Sequence, residues 1–276
     1  MSLGIVVKGP EGLVLAAESR LTLDAKQPDG RSLQVGFDNA RKVFGFAEPH
    51  KAVGVVTYGL GGIGLRSAYS FVPELKEHLP TTRLPVYDFA TSVSEFYMRL
   101  WRATMPPDFA GPAMTLVVAG FNEGEAYGRV YVIDIPTAPE PRAQAQELDA
   151  FGITWGGQRE IVDRLLRGYD ERTMVIAAEA LRLSEAQVGQ LRTALEPLQM
   201  QLPLPAMPLQ DCVDLAILFV KTTVEAQRLT VGVRGCGGPI DVATITREEG
   251  LRFVQRKEIR GEGTSVRGGP TWDSGR

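Results

Sequence analysis

Few residues in this chain have both the type and the spacing to do chemistry on their own. The two cysteines, Cys212 and Cys236, form no CxxC or similar cluster, and the two histidines, His50 and His78, stand far apart. A zinc site built on His and Cys needs several such ligands at set spacings, so none is expected. Cys236 as a nucleophile has no histidine near it in sequence and is read as a small core residue. The glycine cluster Gly59, Gly61, Gly62 and Gly64 contains no GxxxxGK[ST] pattern and no acid in the dinucleotide-binding position. It is read as a turn leading into a helix rather than a phosphate loop. Trp155 is expected to pack, and Asp241 to serve the closing hairpin.

Bulk properties exclude other classes. The chain has 276 residues, 44% hydrophobic and 23% charged, an ordinary globular composition. A chain of this length buries a substantial core without disulfides. A net charge of -3 and a pI near 5.6 give no electrostatic reason to expect nucleic-acid binding. The start, MSLGIVVKG, has no basic n-region and no apolar run of signal-peptide length. The longest apolar stretch, around Leu215 to Val220, is too short to span a bilayer. A soluble, cytoplasmic protein without membrane attachment is the expectation.

The elements that must position any site follow from turn chemistry and periodicity. Leu3 to Lys8 and Leu13 to Ala17 are β-rich and flank the turn Gly9-Pro10-Glu11-Gly12, which predicts a hairpin. The polar stretch Asp24 to Asn39 has no clear periodicity and reads as a loop. Strands are predicted at Arg41 to Ala47 and Ala52 to Tyr58, then a helix over roughly Ile63 to Leu79. A second helix begins near Pro85, with Val86, Phe89, Val93, Phe96, Tyr97 and Leu100 on one stripe. Strands at Ala113 to Gly120 and Gly128 to Ile135 follow. A Pro/Ala/Gln-rich connection and the segment Phe151 to Gly157 then lead into a helix, Gln158 to Arg167. The region from about Arg172 to Met200 reads as helical, and a long helix, Asp211 to Gln227, precedes a hairpin at Ile240 to Thr246 and Leu251 to Gln255. The tail from Gly261 is Gly-, Ser- and Thr-rich and is expected to be disordered. Paired helices between antiparallel strands predict an α+β fold, a four-layer αββα sandwich of two antiparallel sheets between helix layers.

Three segments resemble proteasome β-type subunits, of the N-terminal-nucleophile hydrolase superfamily, and the chain is read as a divergent bacterial-type homologue. They are GLVLAAESRLT (Gly12 to Thr22), NARKVFGF (Asn39 to Phe46) and GGPIDVATITREEG (Gly237 to Gly250). The resemblance covers most of residues 2–256. It implies one proteasome-like domain over 1–258, a helical insertion near 172–206 and a tail over 259–276. The absence of a segment before the first strand points, within that resemblance, to a β-type rather than an α-type subunit.

The resemblance also implies a mechanism. The nucleophile would be the hydroxyl of the first residue, with that residue's own α-amine as base, since an α-amine titrates near about 8. Ser2 takes this role once Met1 is removed, which its small side chain favours. Glu18 falls at the family's spacing for the acid, and Lys42 matches the assisting lysine once the longer preceding loop is allowed. Arg20 matches a basic position beside the site, and Gly59 the residue whose N–H binds the oxyanion. The sequence departs from the pattern at Trp155 and Cys236, where the family has serines, and at Val233, where it has an aspartate.

The reading is therefore a serine- or threonine-type hydrolase of amide (peptide) bonds. It uses Ser2, Glu18, Lys42 and Gly59, with no metal or organic cofactor. It would self-associate into rings and act on polypeptide. Two alternatives accompany it: a catalytically inactive scaffold or ring protein of the same fold, and an amidohydrolase acting on small molecules.

Overall fold

The computed structural model describes residues 2–26, 32–232, 234–259 and 261. Met1, Val233 and the tail from 262 onward, on which parts of the sequence reading rest, lie outside the described residues. The chain opens with β1 (Leu3–Lys8) and β2 (Leu13–Ala17), closed by a turn in which the Gly9 N–H donates to the Gly12 carbonyl at 3.0 Å. Every residue of both strands is buried. That explains their unbroken apolar runs: a strand covered on both faces has no reason to alternate.

Next come β3 (Leu21–Lys26) and β4 (Ser32–Phe37), β5 (Val43–Gly45), β6 (Val53–Gly59) and the two short strands β7 (Gly62–Ile63) and β8 (Arg66–Ser67). Helices α1 (Val72–His78) and α2 (Val86–Thr104) precede β9 (Met114–Gly120), β10 (Arg129–Ile135), β11 (Ala138–Ala143) and β12 (Gly152–Gly157). The chain then runs through α3 (Glu160–Arg167), α4 (Glu171–Leu181), α5 (Glu185–Leu195) and α6 (Leu209–Leu229) to β13 (Asp241–Thr246) and β14 (Gly250–Gln255).

The result is a mixed α+β fold with two five-stranded sheets, ordered β12-β1-β2-β13-β14 and β11-β10-β9-β6-β5, every pairing antiparallel. Three buried clusters hold it together. Val6, Leu13, Leu15 and Ala17 of the first sheet share one with Val56, Tyr58, Val117 and Ala119 of the second. On the other side of β1 and β2, Leu3, Ile5, Val7, Val14 and Ala16 cluster with Val162 of α3 and Ala216, Phe219 and Val220 of α6. The remaining cluster joins Phe44, Val53, Val55, Leu116 and Val118 to Leu75 of α1 and Val86, Phe89, Val93 and Tyr97 of α2. Each Val, Leu, Ile or Phe among them contributes about 1.5–3 kcal/mol by leaving water. The alternation along β1 therefore sends Val6 to one core and Ile5 and Val7 to another, which fixes its register.

Three expectations change. The predicted loop Asp24 to Asn39 contains β4 and the end of β3, a hairpin in which Leu21 and Leu23 lie opposite Phe37 and Val35. The helix expected from Ile63 begins only at Val72. The glycine-rich stretch before it forms the β7–β8 pair and a 3-10 turn, and Pro73 sits in the first helical turn, where proline fits. The Pro/Ala/Gln-rich connection holds β11. Its prolines, Pro139 and Pro141, are tolerated because β11 is an edge strand.

Around 172–206, α4 and α5 carry little core: Met174 is the one buried residue of α4, and α5 has none. Their ends are set by local capping. Asp170 accepts from the Thr173 N–H, and Ser184 and Gln187 form a capping box. Among the described residues no helix is long and apolar enough to cross a membrane.

Candidate active site

Glu18 follows the last residue of β2 and is 1% exposed. A buried carboxylate is costly unless its lone pairs are taken up. Here four donors do so. The Leu3 N–H reaches Oε1 at 3.2 Å, the Arg20 N–H and Gly237 N–H reach Oε2 at 2.6 and 3.0 Å, and the Lys42 ammonium is in contact with Oε1. Lys42, itself 4% exposed, precedes β5, and its carbonyl accepts from the Thr57 N–H of β6 at 2.9 Å. One sheet thus delivers the lysine and the other the acid.

Ser2 stands at the start of β1 and is 2% exposed. Its carbonyl accepts from the Gln158 N–H at 2.8 Å, while the N–H of the same peptide, that of Leu3, is on Glu18. Both polar atoms of the Ser2–Leu3 peptide are therefore held. The approach from the β12 side depends on Gly157, which has φ +88°; a Cβ there would lie 1.7 Å from the Ser2 oxygen. In contrast to its backbone, the Ser2 hydroxyl is buried with no hydrogen-bond partner among the described residues. A buried hydroxyl left unpaired costs about 1–3 kcal/mol and calls for a reason.

Gly59 ends β6 at φ +79°, where a Cβ would lie 2.3 Å from the Ala113 carbonyl oxygen. The preceding residue ties this strand end to the Ser2 neighbourhood: the Tyr58 side chain fills the space that a Cβ on Gly4 or Gly156 would occupy. Burial, with a smaller contribution from Asp134, pushes the Tyr58 phenol up to about 12, so it stays neutral at physiological pH. Arg20 donates to both carboxylate oxygens of Asp38 at 2.5 and 2.6 Å and to the Arg234 carbonyl at 3.2 Å. The Arg20 hydrogen bonds hold Asp38 below the usual carboxylate range. Arg20 thereby pins the 234–238 loop that supplies the Gly237 donor, and a side chain at Gly237 would collide with its guanidinium.

Of the departing positions, Trp155 and Cys236 are among the described residues. Trp155 donates its ring N–H to Asp163 at 3.0 Å and packs against the α3–α6 core. Cys236 is 2% exposed, and burial, with the nearby Glu18 charge, drives its thiol far above the ordinary range. Asp241 pairs with Lys257 in the closing hairpin. Among the described residues no group of three or more His, Cys, Asp and Glu could hold a metal ion.

The structure brings Ser2, Glu18 and Lys42 to one place through the Leu3 amide, and Gly59 to its margin through Tyr58. Sequence reasoning missed Gly157, Gln158, Gln227 and the Gly237 amide. A Gly-Gly pair ending a strand signalled close backbone approach at 157, but amides remote in sequence signal nothing.

This architecture occurs in solved structures. Anbu (ancestral beta-subunit) from Yersinia bercovieri superposes with a TM-score of 0.55 at 15% identity, over 93% of this chain and 88% of that one. A mutant Anbu from Hyphomicrobium sp. strain MC1 gives 0.55 at 14%, over 93% and 86%, and the Anbu complex from Pseudomonas aeruginosa, a helical assembly, gives 0.57 at 16%, over 93% and 88%. The fold is Anbu-like. No protein-family model and no curated protein matches the sequence.

This corrects the resemblance to proteasome β-type subunits. Anbu proteins are proteasome-like but a distinct family, and likeness at this identity shows a related fold, not a proteasome β subunit. The reason lies in what the three segments encode. GLVLAAESRLT, NARKVFGF and GGPIDVATITREEG form strands of the two sheets and the turns beside Glu18 and Lys42. Such features belong to a shared fold and do not separate families that have it.

Proposed function

We propose that this chain is an N-terminal-nucleophile hydrolase of amide bonds, carried on an Anbu-like four-layer αββα sandwich that spans residues 1–258 with a helical insertion near 172–206. In this reading Ser2, freed by loss of Met1, attacks an amide carbonyl. Its α-amine takes the hydroxyl proton, Lys42 and Glu18 set the charge around it, and the Gly59 N–H receives the oxyanion. The observation that carries the proposal is the contrast at Ser2. Its peptide is bonded at both polar atoms next to a buried Glu18–Lys42 pair, yet its buried hydroxyl has no partner among the described residues. A structural serine pairs its hydroxyl, whereas a nucleophile leaves that proton for its base to take.

Self-association belongs to the same proposal and is supported by the Pseudomonas aeruginosa Anbu complex, which is a helical assembly. A second reading, a silent scaffold, draws on the 2% exposure of Ser2 and on Trp155, whose ring N–H is committed to Asp163. Intact mass spectrometry before and after a serine-reactive inhibitor decides between them. Loss of Met1 with a stoichiometric adduct on Ser2, absent in Ser2→Ala, supports the hydrolase. Retained Met1 and no adduct leave the scaffold.

A further inference from the structure

A circuit of hydrogen bonds closes on the peptide that carries Ser2. On one side the Leu3 N–H is on Glu18, whose other oxygen accepts from the Gly237 N–H at 3.0 Å. The residue before Gly237, Cys236, donates its N–H to Gln227 Oε1 at 2.8 Å. Gln227 Nε2 then donates to Gln158 Oε1 at 3.0 Å, and the Gln158 N–H returns to the Ser2 carbonyl at 2.8 Å. One side chain, that of Gln227, joins the two arms. It projects from the last turn of α6, a helix seated in the core through Phe219 and Val220. The task suits an amide, which offers a donor and an acceptor on one planar group. Trp155 and Cys236 put no polar side chain into the circuit.

We infer that Gln227 is a positioning residue that locks the Ser2–Leu3 peptide against Glu18 by bracing the Gln158 turn against the Cys236–Gly237 loop. Its effect on rate rests on the hydrolase reading above; its effect on the peptide does not. The full-length chain is compared with Gln227→Leu, which cannot make either bond, and Gln227→Glu. In the latter a turned-round Gln158 amide can donate while the carboxylate still accepts from Cys236. Two readouts are taken: site-resolved hydrogen exchange at the Leu3, Gly237 and Leu15 amides, and the rate of Ser2 acylation by the serine-reactive inhibitor against pH.

In Gln227→Leu, exchange at Leu3 and Gly237 rises on the order of tenfold while Leu15 in the core of β2 holds, and acylation slows on the order of tenfold. Gln227→Glu restores protection, but its negative charge favours the protonated α-amine and moves the onset of acylation to higher pH. A residue serving only global stability would speed exchange at Leu15 equally and leave the pH profile in place, which overturns the inference. So does unchanged acylation in Gln227→Leu where the wild type is acylated. If the wild type is not acylated at Ser2, the hydrolase reading fails. The exchange data then still decide: local loss at Leu3 and Gly237 upholds the positioning role, and unchanged or global exchange overturns it.

Discussion

Replacing Gly157 by alanine tests whether the grip on the Ser2 carbonyl matters. Two penalties apply. Gly157 has φ +88°, and an alanine held in the left-handed region costs about 1–2 kcal/mol. Its methyl would also lie 1.7 Å from the Ser2 oxygen, so the carbonyl must retreat by more than about 1 Å and the 2.8 Å bond from Gln158 is lost, adding about 1 kcal/mol. Gly124→Ala is the control. It has φ +77° but nothing within 4 Å of the added Cβ, so it carries the backbone strain alone. Urea unfolding should show Gly157→Ala destabilised by about 2–3 kcal/mol and Gly124→Ala by about 1–2 kcal/mol. Labelling of Ser2 should fall on the order of 100-fold in the first, as a displacement of about 1 Å does at a reacting centre, and stay unchanged in the second. Equal stabilities for the two variants, with Ser2 labelled at the wild-type rate in both, would refute the reasoning.

Three further outcomes are expected. Glu18→Ala strands the buried Lys42 ammonium and three backbone N–H groups, so it should lose about 3–5 kcal/mol in denaturant unfolding, while Ser2→Ala, which removes a hydroxyl with no partner among the described residues, should lose none. His50 is buried against Phe89, and burial, opposed by a backbone hydrogen bond at Thr82 and aided by Arg83, lowers its pKa. The unfolded chain therefore takes up the proton first. Stability should fall as pH drops below about 6.5 and level off beneath the lowered folded value, a slope that His50→Gln should flatten in thermal melts across pH 5 to 7. Burial raises both thiols, so Cys212 and Cys236 should resist iodoacetamide at pH 8 in the native protein and alkylate together in urea; rapid native labelling of Cys236 on intact mass would contradict its placement.

Much of the core was legible because its signals are local. Unbroken apolar runs gave β1, β2, β6 and β9, and a three- and four-residue stripe gave α2, whose Val86, Phe89, Val93 and Tyr97 are buried as read. Where signals conflicted, reading failed. In β3 and β4 the apolar residues Leu21 and Leu23, then Leu33, Val35 and Phe37, do alternate with others, but over only two or three repeats each, and Leu33 and Phe37 remain exposed. In β11, Pro139 and Pro141 argue against a strand until its edge position is known. At the site, Glu18 and Lys42 were reached by resemblance, and the structure adds what holds them. Gln158 and Gln227 escaped notice because they meet only when α6 packs across the sheet. Family was misjudged for a related reason: motifs that shape a turn beside a buried acid do not say which branch of a fold carries them.

The order of strands in the first sheet has a consequence for synthesis. Strand β1, which leads from Ser2, is translated before the strands that flank it, and it is interior: Leu3 pairs with Gly157 of β12, and its neighbour β2 pairs through Leu13 with Ile245 of β13. Glu18 likewise waits for its amide donor from Gly237. Such distant pairings fold slowly, because long loops must close before any contact rewards them. A fragment that stops short of Gly237 has the serine without its surroundings, so whatever Ser2 does begins only after the chain has been made through β13.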